Sequence, residues 1–479
     1  MKDFFREMRL LVNGKILKNT LILFTSGFVT QIGTFFVMIF IARKLGPESF
    51  GQITFASTLV SYFLLFGGFG LTLFGTKKVS RSFANIPKII TTVIFLRIIA
   101  SVFSLMLLCF GLWLFGVQKE KLILVLIYSI EIVLSVFLLD WVFQGREKML
   151  YVGYSRIISV VVMALVLRYV DVFKNIYWVP IAQVIGVLFS VTYLLLNINK
   201  TGCIFKIRFS KASIFEALHE GGAILITTFF NLIMFNSGIL LLGFYSTDTA
   251  VGQYGAFYKI AMLVINFSGA YYNAIFPVAA NYYKTSLESL IYLKGVSIQL
   301  SFFVAVPVAI AMLMFPAEII SLFFGSSFIS ESLPFQLMGF VVLLNLINTP
   351  FGRGLIVTDR QNILLKIMII SSLSNILFAI ILIPKLGLLG AVFGLLIGEL
   401  VALPLQFRAF KDFVNLKWVN IFMLSVCASA LLIITTVFLH IIFKFNWIFS
   451  FSIGCIVYAT TIFYFGDFAN KLTHIKKKL

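Results

Sequence analysis

Few residues in this chain are of the kinds from which metal centres and disulfides are built. Its 479 residues include four cysteines and three histidines. The cysteines are scattered and show no metal-ligand spacing: Cys109, Cys203, Cys427 and Cys455. The phosphate-binding pattern G-x-x-x-x-G-K-[ST] is also missing. We therefore expect no disulfide, no metal site and no ATP-driven step carried out by this chain alone.

Charged residues are scarce as well, at 12% of the chain, whereas 61% of residues are hydrophobic and the mean hydropathy is +1.06. A soluble core cannot use so much apolar surface, so the composition indicates a polytopic membrane protein. The net charge of +20 would suggest a nucleic-acid partner in a soluble protein. In a membrane protein it is typical of cytoplasmic loops that face anionic phospholipids, so we expect these lipids as partners and no nucleic acid.

Apolar runs long enough to cross a bilayer recur along the chain. A helix needs about 20 such residues to span roughly 30 Å of hydrocarbon. The first two runs are joined by a turn through Gly46 and Pro47, which predicts a transmembrane hairpin. Residues 1–18 combine basic and apolar positions at helical spacing, which predicts an amphipathic cytoplasmic lead-in. We expect an all-α polytopic fold with about 14 transmembrane helices, at 20–42, 50–74, 88–114, 122–143, 154–172, 177–198, 216–244, 255–281, 295–315, 332–357, 361–383, 388–407, 418–442 and 447–466.

The distribution of Lys and Arg predicts how these helices are oriented. Of the 38 basic residues, 27 fall in the segments that an even number of spans places on the side of the two termini, and 7 fall in the opposite segments. Because cytoplasmic loops concentrate Lys and Arg, both termini are predicted to lie in the cytoplasm. No loop is long enough to fold as a soluble catalytic domain, which argues against an enzyme.

Two short motifs occur twice, about 200 residues apart. Gly51-Gln52 follows the turn after span 1, and Gly252-Gln253 follows the turn after span 7. Gly145-Arg146 ends span 4, and Gly352-Arg353 ends span 10. The repeat predicts two six-helix lobes of the same orientation, related by a pseudo-twofold axis along the membrane normal. The predicted parts are the lead-in (1–18), an N-lobe (19–198), a cytoplasmic linker (199–215), a C-lobe (216–407), and two C-terminal helices with a basic tail (408–479).

Five segments carry a resemblance to a known family: Ala42–Gly51, Phe66–Leu71, Gln144–Lys148, Ile383–Ala391 and Ile397–Glu399. With these segments in order at the expected spans, the chain resembles the polysaccharide-exporting branch of the multidrug/oligosaccharidyl-lipid/polysaccharide exporter superfamily, the Wzx-type O-antigen flippases. The resemblance implies that an undecaprenyl-pyrophosphate-linked oligosaccharide is flipped from the cytoplasmic to the periplasmic leaflet of the bacterial inner membrane. It implies alternating access of the two lobes, H⁺ or Na⁺ as the coupling ion and no other cofactor, and association with a polysaccharide polymerase and a chain-length regulator.

Such a substrate needs cations for its pyrophosphate and hydrogen-bonding groups for its sugars. A charge inside the bilayer costs several kcal/mol unless it faces a polar cavity or a partner. Arg97, within span 3, is the leading candidate for the pyrophosphate, and a buried ion pair is its alternative. Lys259 and Arg353 are the further candidate cations, with contact to lipid headgroups as their alternative. Asn231 and Asn236 are the candidates for sugar binding, with helix–helix hydrogen bonds as their alternative.

Acidic residues inside the spans are candidates for ion coupling, or for counter-ions of these cations: Glu131, Asp140 and Glu399. Glu131 and Asp140 lie on one predicted helix but point to roughly opposite sides, so they cannot form a single two-carboxylate site. Arg43 and Lys44 break the positive-inside rule. We predict that they line an outer vestibule that receives the pyrophosphate.

Two other functions remain open on the sequence alone. A MATE-like exporter of drugs or metabolites would need an acidic, aromatic cavity for organic cations, whereas the intramembrane bases here favour an anionic substrate. A membrane glycosyltransferase or an O-antigen polymerase would carry sizeable outside loops, and every predicted outside loop is short.

Overall fold

The computed structural model describes residues 14–81, 86–172, 175–201, 211–329, 332–413 and 418–465. Sixteen α-helices and no β-strand are formed by these residues. The helices are α1 (Gly14–Gly68), α2 (Leu71–Arg81), α3 (Ile86–Phe115), α4 (Lys119–Val136), α5 (Asp140–Gly145), α6 (Met149–Tyr169), α7 (Trp178–Leu196), α8 (Lys211–Tyr245), α9 (Asp248–Thr285), α10 (Leu287–Met314), α11 (Pro316–Phe324), α12 (Leu333–Val357), α13 (Gln361–Leu386), α14 (Leu388–Phe410), α15 (Trp418–Val437) and α16 (Trp447–Phe465).

Three predicted segments lie partly or wholly outside the described residues. They are the amphipathic lead-in (1–18), the cytoplasmic linker (199–215) and the basic C-terminal tail that follows span 14.

Twelve helical segments of the described residues are long and apolar enough to cross a membrane. The first, Thr25–Arg81, covers both arms of the predicted hairpin. The shorter apolar helix Cys427–Ile441 falls within predicted span 418–442. Each of the 14 predicted spans therefore falls mainly on helix, and the predicted fold class, an all-α polytopic membrane protein, is confirmed.

The turn of the first hairpin is tighter than predicted. The sequence suggested a non-helical connection between residues 42 and 50, but only Gly46 departs from helical dihedral angles, with φ 75° and ψ 175°. A positive φ is accessible to glycine because it has no Cβ. Pro47 then begins the second arm, at a position where its missing N–H costs no hydrogen bond.

The second arm is broken where its glycines cluster. α1 ends at Gly68, and Phe69 and Gly70 have positive φ values of 45° and 66° before α2 begins. α2 then packs on α5, where a Cβ added to Gly75 would lie 2.4 Å from the Trp141 ring. The α2–α5 contact belongs to a buried apolar cluster that also includes residues of α3.

Predicted span 4 (122–143) is two helices rather than one. α4 ends at Val136, and α5 begins at Asp140. The break was not predicted, because residues 136–139 contain neither Gly nor Pro. A helix end leaves its last carbonyl groups without intrahelical donors. In hydrocarbon those carbonyls must find other partners.

The described residues group into two compact units. The first contains the chain up to Ala256 together with Ile383–Ala391, and the second contains Phe257–Leu382 and the chain from Val392 onward. In the first unit α1 packs against α3, α4, α6 and α8, and α6 packs along α7. In the second unit α10 packs along α12, and α15 packs along α16.

The two predicted lobes (19–198 and 216–407) were defined by a sequence repeat, whereas the two compact units are defined by contacts between residues. Their boundaries stay a prediction. The first compact unit extends beyond the first repeat and includes α8 and the beginning of α9.

Candidate functional site

Arg97 is a buried cation on α3, with 4% of its surface exposed. Its Nη1 donates hydrogen bonds to the backbone carbonyl oxygens of Ser135, at 3.0 Å, and Leu138, at 3.2 Å. Its Nη2 donates to Thr72 Oγ1 at 2.6 Å. The guanidinium therefore joins α3 to the beginning of α2 and to the break between α4 and α5.

These contacts explain how a charge is accommodated inside span 3. Ser135 and Leu138 lie where the α4–α5 break leaves carbonyl groups in need of donors. A cation at a helix C-terminus is also favoured by the helix dipole, by about 0.3–1 kcal/mol at exposed sites. Asp140, at the start of α5, is the carboxylate whose charge acts on Arg97. Arg97 thus caps the break, and its predicted pyrophosphate-binding role stays a prediction.

The two Gly-Gln motifs of the repeat meet in the first unit. A Cβ added to Gly51 would lie 1.8 Å from the carbonyl oxygen of Asp248, and one added to Gly252 would lie 1.9 Å from the carbonyl oxygen of Pro47. Each glycine faces the residue four positions before the other glycine, so the contact is symmetric. Only glycine lets two helix backbones approach this closely. We call this contact the glycine crossing.

A buried ion pair lies beside the glycine crossing. Lys121 of α4 is 8% exposed, and its Nζ lies 2.5 Å from Asp248 Oδ1. Gln52 Nε2 donates to Asp248 Oδ2 at 3.2 Å. The Lys121 ammonium also lies 5.4 Å from the centre of the Phe55 ring. The sequence predictions missed this pair, since Lys121 was assigned to an outside loop. The acidic residue before the second Gly-Gln motif was the signal that could have found it.

A second contact joins α8 to the break between α1 and α2. A Cβ added to Gly70 would lie 2.4 Å from the carbonyl oxygen of Gly221. Ion pairs between α2 and α8 continue this contact toward the end of α2. These two lysine–glutamate pairs are Lys77–Glu220, with Nζ and Oε2 2.8 Å apart, and Lys78–Glu216.

The two contacts lie at opposite ends of one membrane-spanning segment. Gly51 and Gly70 are 19 residues apart in the sequence, which corresponds to about 28 Å of helix at 1.5 Å per residue. This length is close to the roughly 30 Å of a hydrocarbon core. Between the two ends, aromatic rings of α1 and α8 are in contact, with centroids 5.4 Å apart for both Phe55–Phe244 and Phe66–Phe229.

The other predicted residues of the first unit occupy separate places. Asn231 is exposed on α8, and Asn236 is half-buried and donates to a carbonyl of its own helix at 3.3 Å. Arg43 is exposed, and the Lys44 ammonium lies 4.9 Å from the centre of the Phe40 ring. Their predicted roles in sugar binding and in an outer vestibule stay predictions.

The two acids of predicted span 4 also have different surroundings. Glu131 of α4 is half-buried, and its Oε1 is buried without a hydrogen-bond partner. Asp140 Oδ1 accepts from the Trp141 backbone N–H at 2.9 Å, and its Oδ2 accepts from Gln144 Nε2 at 3.1 Å. Of these two acids, Asp140 is the one whose charge acts on Arg97.

Glu399 of α14 lies in the second unit and is 3% exposed. Asn345 Nδ2 donates to its Oε1 at 2.8 Å, and Asn348 Nδ2 donates to its Oε2 at 2.6 Å. In the part of the chain that the structure describes, no Lys or Arg forms an ion pair with this carboxylate. Burying an ionised carboxylate without a cation is costly. The site is therefore suited to hold a proton or a small cation, and its predicted role in coupling stays a prediction.

Lys259 and Arg353 are both half-buried in the second unit. Within the described ranges, no carboxylate pairs with either of them. Sequence reasoning missed a third cation of this unit, Lys294, because it was assigned to a cytoplasmic loop. Lys294 is in fact 1% exposed on α10.

Comparison with known proteins places the chain among polysaccharide biosynthesis proteins. The family model described as "Polysaccharide biosynthesis protein" matches residues 16–283. Two curated proteins, both named "Putative O-antigen transporter", are similar to the chain. The protein from Escherichia coli (strain K12) is 26% identical over 243 residues, which are 50% of this chain and only 58% of that protein. The protein from Shigella dysenteriae is 24% identical over 408 residues, which are 82% of this chain and 100% of that protein.

The fold is also found among solved structures. The chain is similar to a structure described as "Lipid II flippase MurJ, inward closed conformation", with a TM-score of 0.72 and 17% identity. The similarity covers 93% of this chain and 99% of that one. At this level of identity it shows a shared fold.

Proposed function

The chain belongs to the family of polysaccharide biosynthesis proteins, and we propose that it is a flippase for a lipid-linked oligosaccharide. The proposed substrate is an undecaprenyl-pyrophosphate-linked repeat unit of O-antigen or a related surface polysaccharide. The proposed direction is from the cytoplasmic to the periplasmic leaflet. Family membership confirms the resemblance on which the sequence prediction was based.

The observation that carries the proposal is the pair of contacts at the two ends of the segment from Pro47 to Arg81. Alternating access requires that a path through the membrane can be closed at either end. The glycine crossing joins α1 to α9 at one end of this segment, and the Gly70–Gly221 contact and the lysine–glutamate pairs join it to α8 at the other. We infer that these contacts close such a path at its two ends. The structure thus supports a transporter, in which these contacts open in turn.

The choice of substrate rests on charge and on the relatives. Several bases lie within membrane-spanning helices, and Arg97, Lys259, Lys294 and Arg353 are among them. They favour an anionic group such as pyrophosphate over the organic cations of a drug exporter. The two curated relatives are named as O-antigen transporters, and the MurJ structure is named as a lipid flippase.

The test is deletion of the gene in its own host. We expect loss of surface polysaccharide and accumulation of undecaprenyl-linked repeat units on the inner leaflet, both reversed by the wild-type gene. The purified protein in proteoliposomes should move a fluorescent lipid-linked oligosaccharide between leaflets. Accumulation of repeat units on the outer leaflet would indicate a polymerase instead. Normal surface polysaccharide together with loss of drug resistance would indicate a drug exporter.

Glu399 is the residue we propose for ion coupling. Its carboxylate is buried and held by two asparagines, and no described base neutralises it. In proteoliposomes, an imposed H⁺ or Na⁺ gradient should accelerate flipping by the wild type but not by Glu399→Gln. The matched control is Asp359→Asn, since Asp359 is an exposed acid of the same unit. An unchanged gradient response in Glu399→Gln would rule out this role.

We also propose a location in the bacterial inner membrane with both termini in the cytoplasm. The partners are anionic phospholipids and, by the chemistry of chain assembly, a polysaccharide polymerase and a chain-length regulator. Single cysteines at Glu48 and Ala250, in a background without the four native cysteines, should both react with an impermeant maleimide from outside. Protection of either position would contradict the topology.

A further inference from the structure

The second unit contains a buried lysine with no carboxylate partner. Lys294 of α10 is 1% exposed, and its ammonium lies 5.9 Å from the centre of the Phe410 ring. The described charge that acts on it belongs to another cation, Arg353 of α12. In the first unit, by contrast, the buried ammonium of Lys121 lies 2.5 Å from the carboxylate of Asp248.

Packing around Phe410 brings Lys294 close to the segment of α12 that carries Arg353. A Cβ added to Gly354 would lie 2.6 Å from the Phe410 ring, so this ring is close both to the Lys294 ammonium and to the backbone next to Arg353. On the other side of Arg353, a Cβ added to Gly352 would lie 3.3 Å from Gln406 Oε1. Gln406 is 9% exposed, and this oxygen is buried without a hydrogen-bond partner. Arg353 is half-buried, so part of its surface is accessible to solvent.

Hydroxyl groups complete the cluster. Tyr272 of α9 donates to the carbonyl oxygen of Ser297 at 3.1 Å, and its hydroxyl lies 2.8 Å from Ser301 Oγ. Tyr271 and Ser297 hydroxyl oxygens are 3.2 Å apart. Ser297 lies one helical turn beyond Lys294 on α10. The charge of Arg353 also acts on Tyr272.

Two cations in a largely apolar surrounding repel each other and lose hydration. Within the described residues no carboxylate acts on either of them. An anion that bridges both groups would remove this cost. Arg suits a phosphate because its planar guanidinium can donate two parallel hydrogen bonds, and Lys adds a compact charge.

We propose that Lys294 and Arg353, with the hydroxyls of Tyr271 and Tyr272 at their side, form a binding site for the phosphate or pyrophosphate headgroup of a lipid. That the site binds an anion is inferred from the contacts and burial described above. Assigning the headgroup to the lipid-linked glycan rests in addition on the proposed function. The cluster lies where α10 begins and where α12 and α14 end, which the predicted topology places near the cytoplasmic surface.

The first experiment measures thermal unfolding of the purified full-length protein with inorganic pyrophosphate, or with sulfate at equal ionic strength. Pyrophosphate should raise the unfolding midpoint of the wild type more than sulfate does. In Lys294→Met the affinity for pyrophosphate should fall roughly tenfold to hundredfold, as expected for loss of a charge-assisted contact. Without anion this variant should be at least as stable as the wild type, because a buried unpaired charge is removed. A merely structural lysine would instead give a less stable variant.

Two further variants distinguish a contact specific to Lys294 from a general effect of net charge. Lys284→Met removes an exposed lysine near the same end of the unit and should bind like the wild type. Lys294→Arg keeps the charge and should retain most of the binding. Equal loss in Lys284→Met and Lys294→Met, or no preference of the wild type for pyrophosphate over sulfate, would overturn the proposal.

The source of the headgroup is distinguished by native mass spectrometry from nanodiscs. Wild-type protein should retain undecaprenyl pyrophosphate or phosphatidylglycerol in preference to phosphatidylcholine, and Lys294→Met should lose that preference. Preference for undecaprenyl pyrophosphate assigns the site to the substrate, and preference for phosphatidylglycerol assigns it to the membrane. If Lys294-dependent binding is found but gene deletion leaves repeat units unaffected, the site stands and the proposed function fails. If flipping is normal but no Lys294-dependent binding is found, the proposed function stands and the site fails.

Discussion

At its two ends, the segment from Pro47 to Arg81 is held against neighbouring helices by contacts of different physical kinds. At the glycine crossing two backbones touch, and the side chains of the Lys121–Asp248 pair are only 10% and 13% exposed. At the other end, the side chains of the lysine–glutamate pairs are between 26% and 47% exposed. Breaking a buried ion pair costs about 3–5 kcal/mol, whereas an exposed pair contributes about 0–1 kcal/mol.

This difference bears on the order in which the two ends open. The end closed by exposed pairs should open at lower cost, because water replaces each lost contact. The predicted topology places that end on the cytoplasmic side, where the proposed substrate is made. Opening at the glycine crossing exposes two charges and separates two packed backbones, so it should require the free energy of substrate or ion binding.

The largest expected effect is that of a methyl group in the glycine crossing. In Gly252→Ala the new Cβ would lie 1.9 Å from the Pro47 carbonyl oxygen, which neither backbone can avoid without moving. We expect a loss of about 4 kcal/mol in the free energy of unfolding, at the upper end of single substitutions. Unfolding by SDS in mixed micelles measures it. A cysteine at Glu48 should also become more reactive from outside.

Gly222→Ala is the matched control, because a Cβ added there meets nothing within 4 Å. It should leave stability unchanged or raise it by up to about 1 kcal/mol, since alanine is the better helix former. If Gly222→Ala and Gly252→Ala had the same free energy of unfolding, the glycine crossing would not be a close-packed contact.

The next effect in size concerns the buried ion pair. Lys121→Gln leaves the Asp248 carboxylate buried without its cation, and we expect a loss of about 3 kcal/mol. Adding Asp248→Asn should restore much of it, because the uncompensated charge disappears. Lys119→Gln is the control, since Lys119 is exposed on the same helix. The role of the pair would be refuted if the single variant at position 121 lost no more stability than this control.

The third prediction concerns Arg97, which supports the end of the segment that carries the lysine–glutamate pairs. Its bond to Thr72 holds the beginning of α2, the helix that carries Lys77 and Lys78. Arg97→Met should cost about 2 kcal/mol, the range for hydrogen bonds to charged groups. Flipping per folded molecule should stay close to the wild type if Arg97 only caps the α4–α5 break. A much larger loss of flipping than of folded protein would support its predicted pyrophosphate-binding role. Arg168→Met, at an exposed position, is the control.

Composition and hydropathy could predict the spans, because crossing a bilayer imposes a length and an apolar character that are local in sequence. The repeat could also be found, since Gly51-Gln52 and Gly252-Gln253 occupy equivalent places. That the two motifs touch could not be inferred from it. A repeat shows that two residues hold equivalent positions in their own helices. Whether they are in contact depends on how helices about 200 residues apart in the chain pack together.

The surroundings of Arg97 were beyond sequence reasoning for a related reason. Its depth in span 3 was readable, but its partners are carbonyl groups at a helix break without Gly or Pro. Backbone acceptors carry no residue signature. Likewise, Lys121 and Lys294 lie close to predicted span ends and were assigned to loops, because hydropathy cannot tell a buried lysine from an exposed one.

The smallest expected effect is at the lysine–glutamate pairs, and it decides whether the comparison of the two ends holds. Lys77→Gln/Lys78→Gln makes there the same change that Lys121→Gln makes at the glycine crossing. Because the side chains are exposed, the loss in free energy of unfolding should stay below about 1 kcal/mol. That small difference should vanish in 1 M salt, where screening acts over about 3 Å. The deficit of Lys121→Gln should persist in the same salt, since its pair is buried. If the double variant loses as much stability as Lys121→Gln, or if salt affects both alike, the two ends are equally hard to open, and the expected order of opening has no basis in these ion pairs.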